Sequence, residues 1–381
     1  MWQILALPES QLCLSAVLKC GQSFRWTSIG SAPNQEYRFC LRDRVVCLKQ
    51  DATTLFYRTI LPLSQPSALP QQQIAEAETL VWLRDYFQLD VDLQKLYAEW
   101  AIRDKVFSSG IQTRFAGIRM LRQDPFENLI SFICSSNNNI GRITKMVQAL
   151  CRHYSAPLLS MPDPADPLIE VQYHPFPSPS VLAAPDVETT LRDLGFGYRA
   201  KFIQRTAKML VDTHGSADLA EKFLAGLRNA STEDAREELL KFMGVGRKVA
   251  DCVLLMSLDK KEVVPVDTHV HQIAIKHYGL KGSLNAKSNM TPKLYEEINT
   301  KLVTVWGDYA GWAHSVLFTS DLKAFSTHGV EAAETTLPTP PPTPSPLKRK
   351  GGVSDQTSTA DLPPSPLAGR TKRRRTTEAA R

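Results

Sequence analysis

Between Leu239 and Asp267 a helical pattern stops at Gly244-Val245-Gly246, restarts at once with Arg247-Lys248-Val249-Ala250-Asp251-Cys252, and runs on to Val263-Val264-Pro265-Val266-Asp267. Few backbone conformations join two helices through so short a link. Glycine supplies the left-handed or crowded geometry such a turn requires, so the chain is expected to double back here as a tight helical hairpin. The turn leaves unpaired N–H groups at the start of the second helix, a ready site for a phosphate and one that is blind to sequence. Taken alone, the same link also reads as a plain connector.

Lys248 narrows that choice. It falls in the first turn of the second helix, where the positive end of the macrodipole disfavours an ammonium, so it is misplaced as a stabilising surface charge. The same position favours a free amine, available as a nucleophile; a second phosphate contact is the other reading. Cys252 and Met256 follow at i+4 and i+8, on the same stripe as Lys248. They read either as core residues or as a soft, polarisable wall beside the amine, suited to a flat heteroaromatic base. Asp267 ends the apolar run as the expected N-cap of a helix from Thr268 to Tyr278. A carboxylate fixed there could also assist proton transfer and stabilise positive charge developing on a sugar ring. His269 and His271 are two apart, hence on different helical faces, and no metal site is expected.

The flanking chain changes character twice. Ser23 to Thr27, Tyr37 to Leu41, Arg44 to Lys49 and Thr53 to Thr59 read as short strands of an antiparallel meander. A helical period from Gln72 to about Arg103, with Leu80, Leu83, Phe87, Leu93, Leu96 and Trp100 at three- and four-residue spacing, offers the cover such a sheet needs. From Asp124-Pro125 onward, an N-cap followed by proline at the first helical position, helices dominate: Phe126 to Ser135, Ile140 to Tyr154, Val187 to Leu194, Ala200 to His214, Thr232 to Met243, Arg247 to Leu258, Thr268 to Tyr278, Thr291 to Trp306 and Tyr309 to Ala324. Seven prolines between Ala156 and Pro185 predict an extended connection there.

The fold class expected is therefore α+β: an antiparallel β-sheet with covering helices over residues 1–123, an all-helical hairpin-containing domain over 124–325, and a disordered basic tail over 326–381. The tail is rich in Pro, Ser and Thr and nearly devoid of aromatics, so it cannot bury enough apolar area to offset ordering entropy. Of the net charge of +6, the tail carries +4 (nine Lys/Arg against five Asp/Glu), which leaves +2 for residues 1–325. Binding of nucleic acid therefore cannot rest on overall charge and needs a local motif. Lys348-Arg349-Lys350 and Arg370 to Arg375 read either as part of a solvated tail or as a nuclear-import address that also touches DNA. Four Ser/Thr-Pro steps, at Thr339, Thr343, Ser345 and Ser365, would suit proline-directed kinases. The seven cysteines are scattered and never spaced C-x-x-C, which argues for reduced thiols in an intracellular compartment and against a cysteine-bound zinc or iron–sulfur centre. No signal peptide and no apolar run of roughly 20 residues is present, so no membrane partner is expected.

Five stretches carry a family resemblance: the hairpin with Val264-Pro265-Val266-Asp267, Gly21-Gln22-Ser23-Phe24-Arg25-Trp26, Ser131 to Ile140 with its Asn137-Asn138-Asn139, Leu194-Gly195-Phe196-Gly197-Tyr198-Arg199-Ala200, and Tyr309-Ala310-Gly311-Trp312-Ala313. Together they span residues 1 to about 325, and the chain resembles the helix-hairpin-helix DNA glycosylases, specifically the eukaryotic 8-oxoguanine DNA glycosylases. The resemblance implies a glycosylase with associated lyase activity acting on double-stranded DNA that contains oxidised guanine opposite cytosine. Lys248 would attack the sugar and Asp267 would be the essential carboxylate. Gly21, through its carbonyl, would accept the N7 proton that 8-oxoguanine has and guanine lacks. Cys252 and Phe318 would sandwich the base, with Met256 beside them. Asn137 would fill the hole left by the flipped nucleotide, Tyr198 would wedge the stack, and Arg142 and Arg199 would read the opposite cytosine. Gly244, Val245, Gly246 and His269 would meet the DNA backbone.

His314 stands where the family usually has a glutamine that reads the base edge; a neutral imidazole offers one donor and one acceptor, as an amide does. The resemblance further implies a monomer, located in the nucleus with room for a mitochondrial fraction, and no cofactor apart from a structural monovalent cation at the hairpin. The alternatives are a glycosylase for another damaged purine, which would keep Lys248 and Asp267 and change the pocket, and a non-catalytic DNA-binding module using the hairpin as a clamp.

Overall fold

Val45 to Gln50 and Thr54 to Ile60 are rich in β-branched and aromatic residues and flank a short turn, which makes them the paired centre of a sheet. The computed structural model describes residues 1–31, 35–62, 69–164, 166–282 and 290–330. The first strands are β1 (Gln3–Ala6), then, after a one-turn helix α1 (Leu14–Val17), β2 (Thr27–Ile29), β3 (Glu36–Cys40), β4 (Val45–Gln50) and β5 (Thr54–Ile60). They form one antiparallel sheet in the order β1-β5-β4-β3-β2, with Gln3 opposite Tyr57, Val45 opposite Ile60 and Thr27 opposite Arg38. Helices α2 (Leu69–Tyr86) and α3 (Leu93–Arg103) follow. The face of α2 carrying Trp82 and Tyr86 packs on Phe39 and Trp26, with ring centroids 5.7–6.5 Å apart. This is the cover the sheet needs on that side.

The expected strand at Ser23–Thr27 begins only at Thr27. Ser23, Phe24, Arg25 and Trp26 are all buried, and side chains rather than a neighbouring strand satisfy the backbone nearby: Gln22 donates to Arg119 O (2.9 Å) and accepts from Leu121 N (3.0 Å), while Gln123 donates to Gln22 O (2.9 Å). Irregular backbone is thereby tolerated inside the core. β1 and α1 carry no strong periodic signal in the sequence.

After a kinked turn leading into the short α4 (Gln112–Arg114), the helices are α5 (Pro125–Ile133) and α6 (Ile140–Tyr154). Asp124 caps α5 by accepting from Glu127 N, and Asn139 caps α6 by accepting from Arg142 N. The proline-rich connection is not merely extended. It forms a two-stranded ladder, β6 (Leu159–Pro162) with β7 (Glu170–Tyr173), and one helical turn, α7 (Pro179–Leu182). Met161 and Tyr173 pack on Cys40, Val45 and Cys47, and Arg38 donates to Tyr173 Oη (3.0 Å) and Pro162 O (3.1 Å). The ladder therefore covers the second face of the sheet, which explains why β3 is buried along its whole length.

Next come α8 (Val187–Asp193), α9 (Arg199–His214), α10 (Ala217–Gly226), which the sequence reading left unassigned, and α11 (Thr232–Leu240). They are followed by α12 (Arg247–Ser257), α13 (Thr268–Tyr278), α14 (Pro292–Trp306) and α15 (Ala310–Asp321). One apolar core runs from the sheet through these helices, and α12 is buried from Val249 to Ser257 against α5 and α11. Among the described residues no helix is long and apolar enough to cross a membrane. The expected disordered tail, with its basic clusters and Ser/Thr-Pro steps, lies outside the described residues apart from 326–330.

Candidate active site at the hairpin

The hairpin is α11, the turn and α12. Gly244 has φ +84°, and a Cβ there would lie 2.5–2.8 Å from the Phe202 side chain, so both conformation and space demand glycine. Gly246 differs: at φ −93° and ψ 178° with open space around it, it is an extended N-cap that exposes the start of α12. Val245 has a buried side chain and its N–H is bonded to Phe242 O (3.2 Å). The donors available to a phosphate are therefore those of the opening turn of α12.

A cavity of about 680 Å³ opens beside α12. Gly21, Lys248, Cys252, Met256, Asp267, His269, His314 and Phe318, drawn from both ends of the chain, all line it. A second, more open groove of about 860 Å³ runs past Asn137, Gly246, Arg247 and Tyr295 and shares Ser135, Asn138, Lys248, Asp267 and His269 with the first. Lys248 and Asp267 thus stand on the rim common to a pocket and a groove.

Lys248 Nζ donates to Ser135 Oγ (3.2 Å) and sits 4.9 Å from the centroid of the Phe132 ring. Its partner is a neutral hydroxyl, itself donating to Phe132 O (2.7 Å), and not a carboxylate. Ser135 was missed as a functional residue, although it lies within the Ser-Ser-Asn-Asn-Asn run; nothing local links it to a lysine 113 positions away. Asp267 is half-buried, and its Oδ1 accepts Val270 N (2.9 Å), so the cap role expected of it holds one carboxylate oxygen and orients the other. Burial pushes the Cys252 thiol up to about 11 against the opposing pull of Lys248, so the thiol is a neutral wall.

His314 is 6% exposed, and neither ring nitrogen has a partner. Burial pushes its imidazole down to about 4, overriding the attraction of Asp267, with Lys248 adding to the depression. It is therefore neutral and presents one free donor and one free acceptor inside a pocket. Buried unpaired groups cost roughly 1–3 kcal/mol each, which a ligand with the complementary edge would recover. Phe318 stands beside it, 5.9 Å from the rings of both His314 and His269. Gly21 has φ +89°, and a Cβ on it would meet Ile140 at 2.9 Å.

The remaining residues form a second group. Asn137 is exposed with φ +47°, a left-handed conformation that asparagine adopts more readily than most residues other than glycine. Tyr198 Oη donates to Ser136 O (3.0 Å), and the Arg199 guanidinium donates to Ser136 O (3.1 Å from Nε) and Asn137 O (3.0 Å), so both hold this turn. Tyr198 is 46% exposed and makes one hydrogen bond through its hydroxyl, whereas Arg199 is 3% exposed and committed to these carbonyls through several bonds. Arg142 is exposed, bonded only loosely to Gly195 O (3.3 Å).

Comparison with known proteins agrees with this geometry. The family model described as 8-oxoguanine DNA glycosylase, N-terminal domain, matches residues 4–129, and that described as HhH-GPD superfamily base excision DNA repair protein matches residues 130–301. The N-glycosylase/DNA lyase of Saccharomyces cerevisiae is 37% identical over 84% of this chain and 85% of its own. The N-glycosylase/DNA lyase OGG1 of Arabidopsis thaliana is 36% identical over 86% and 82%. A solved structure of the Clostridium acetobutylicum 8-oxoguanine glycosylase/lyase, in complex with double-stranded DNA containing cytosine opposite 8-oxoG, is 26% identical with a TM-score of 0.63, covering 84% of this chain and 96% of that one. Matched by both family models and by relatives 36–37% identical over most of its length, the chain belongs to the 8-oxoguanine DNA glycosylase family of helix-hairpin-helix base-excision repair proteins.

Proposed function

We propose that the chain is a bifunctional DNA glycosylase and abasic-site lyase that removes 8-oxoguanine from double-stranded DNA. The observation that carries this is the position of Lys248 and Asp267 on the rim shared by the pocket and the groove. A base extruded into the pocket leaves its sugar at the amine and its phosphates in the groove, near the opening turn of α12.

Lys248 attacks C1′ of the sugar, and the bond to the base breaks with its electron pair leaving on the base. The resulting adduct opens to a Schiff base, and loss of the C2′ proton then expels the 3′ phosphate and nicks the strand. Asp267 stabilises the positive charge on the sugar and assists proton transfer. Gly21 O accepts the N7 proton, Cys252, Met256 and Phe318 wall the base, and His314 meets its edge. Asn137 fills the gap in the helix, Tyr198 wedges the stack, and Arg142 reads the opposite cytosine. Arg199 would have to leave three carbonyl contacts to do the same, so its part is to hold the Asn137 turn.

The Phe242 and Met243 carbonyls each receive one donor and keep a second lone pair for a structural monovalent cation, which would hold the turn and take no part in the chemistry. A monomer resident in the nucleus, directed there by the two basic clusters of the tail, completes the proposal; a fluorescent fusion lacking residues 348–375 should lose nuclear accumulation.

The deciding experiment is borohydride trapping on an oligonucleotide carrying 8-oxoguanine opposite cytosine. The wild type should form a covalent adduct and Lys248→Gln none. Absence of the wild-type adduct, or an undiminished adduct with Lys248→Gln, would defeat the assignment. The unpartnered His314 favours a second reading, another damaged purine, which parallel duplexes with alkylated or ring-opened purines would reveal through faster release.

A further inference from the structure

Lys248 and Asp267 come from separate elements, the first turn of α12 and the segment leading into α13, and among the described residues no ion pair joins them. Their separation must be set by what lies behind them. Asp251, three residues beyond Lys248 on α12, is wholly buried and accepts from Arg236 Nε (2.8 Å), Arg247 Nε (3.1 Å) and the Tyr295 hydroxyl (2.6 Å). The same hydroxyl accepts the N–H of Val266 (3.0 Å), the residue immediately before Asp267. One turn further along α14, Asn299 donates to Val264 O (3.0 Å) and fixes the same segment.

We propose that Tyr295 is a positioning residue whose hydroxyl, bonded to Asp251 on the lysine-bearing helix and to Val266 beside the carboxylate, sets the span between Lys248 and Asp267. Tyr295 is 4% exposed, so water cannot replace the link without a shift of backbone. Its ring supports Arg247, whose guanidinium lies 5.1 Å from the ring centroid and also bonds Glu296 (3.3 Å). The hydroxyl keeps its proton throughout the working range, because burial and the facing Asp251 carboxylate push its ionisation far up. It is thus a fixed donor to Asp251 and a fixed acceptor from Val266. Misplacement of a reacting group by an ångström can cost about a hundredfold in rate, so a link of this kind acts on chemistry more than on binding.

The inference rests on the glycosylase/lyase reading, and Tyr295→Phe tests it, because that change keeps the ring and the Arg247 contact while deleting one oxygen. Single-turnover release of 8-oxoguanine should slow about tenfold or more, and the rate of borohydride trapping on a duplex with a preformed abasic site should fall with it. Affinity for a duplex bearing an uncleavable abasic analogue should stay within about twofold of wild type. Asn299→Ala, which leaves the hydroxyl in place, should slow release less. Wild-type rates in Tyr295→Phe would overturn the proposal, as would a rate loss matched by an equal loss of duplex affinity. A wild-type protein that traps on the abasic duplex yet fails to release 8-oxoguanine would instead remove the base assignment, and Tyr295 would still be judged on the trapping rates.

Discussion

Lowering the pH tests whether His314 is held neutral inside the pocket. Its ordinary value is 6.5, and burial pushes it down to about 4, so the folded chain resists the proton that the unfolded chain accepts. Stability from this group is therefore fully present above 6.5 and is lost as the pH falls from 6.5 through 4, a loss of a few kcal/mol in all at about 1.4 kcal/mol per unit. Little of this is lost at pH 7, and about 2 kcal/mol is lost at pH 5. Urea unfolding of the wild type and of His314→Gln at both pH values isolates that figure. An amide takes up no proton, so the wild type should lose about 2 kcal/mol more than the variant between pH 7 and pH 5. Equal losses would show that the imidazole is not buried neutral and would remove the basis for its role as an edge reader. His314→Gln should also retain excision at neutral pH, since an amide offers the same donor and acceptor; loss of excision would mean that the imidazole does something else.

Gly244→Ala combines a left-handed φ with a Cβ 2.5 Å from the Phe202 ring and should cost about 2–4 kcal/mol in urea unfolding, while Gly246→Ala, extended and open, should be nearly neutral; the reverse order would refute the division of labour in the turn. Ser135→Ala removes the hydroxyl that receives Lys248 and should slow borohydride trapping several-fold while changing stability by no more than about 1 kcal/mol; an unchanged trapping rate would show that the amine needs no such partner. All seven cysteines are buried, with Cys252 pushed up to about 11 and Cys134 to about 12, so iodoacetamide at pH 8 should label none of them until urea is added; mass spectrometry showing native labelling of Cys252 would contradict a sealed, neutral wall.

What could be seen in the sequence divides by the distance between interacting partners. Asp124, Asn139, Asp267 and Thr291 each cap a helix through an N–H three residues on, and the bounds of α6 and α13 agree with the expectation because caps and periodicity are local. Ser23–Trp26 misled because its aromatic content is that of a strand, yet its bonds run through side chains, Arg25 to Glu127 and to Cys40 O, and Trp26 to the Tyr86 hydroxyl. The β6–β7 ladder was hidden because proline content argues against helix without saying that Met161 and Tyr173 would find Cys40 and Cys47. Lys248, Asp267, Cys252 and Met256 could be argued from spacing, whereas Gly21 and Phe318 entered only through resemblance, since no local rule ties residue 21 to residue 318. Tyr295 entered by neither route. On α14 it reads as one more core aromatic, and only the two hydrogen bonds of its hydroxyl, to partners 44 and 29 residues away, distinguish it. The residues that perform a reaction carry chemical signatures a sequence displays. Those that fix the distance between reacting groups are ordinary in type, and their function lies in contacts that exist only once the chain has folded.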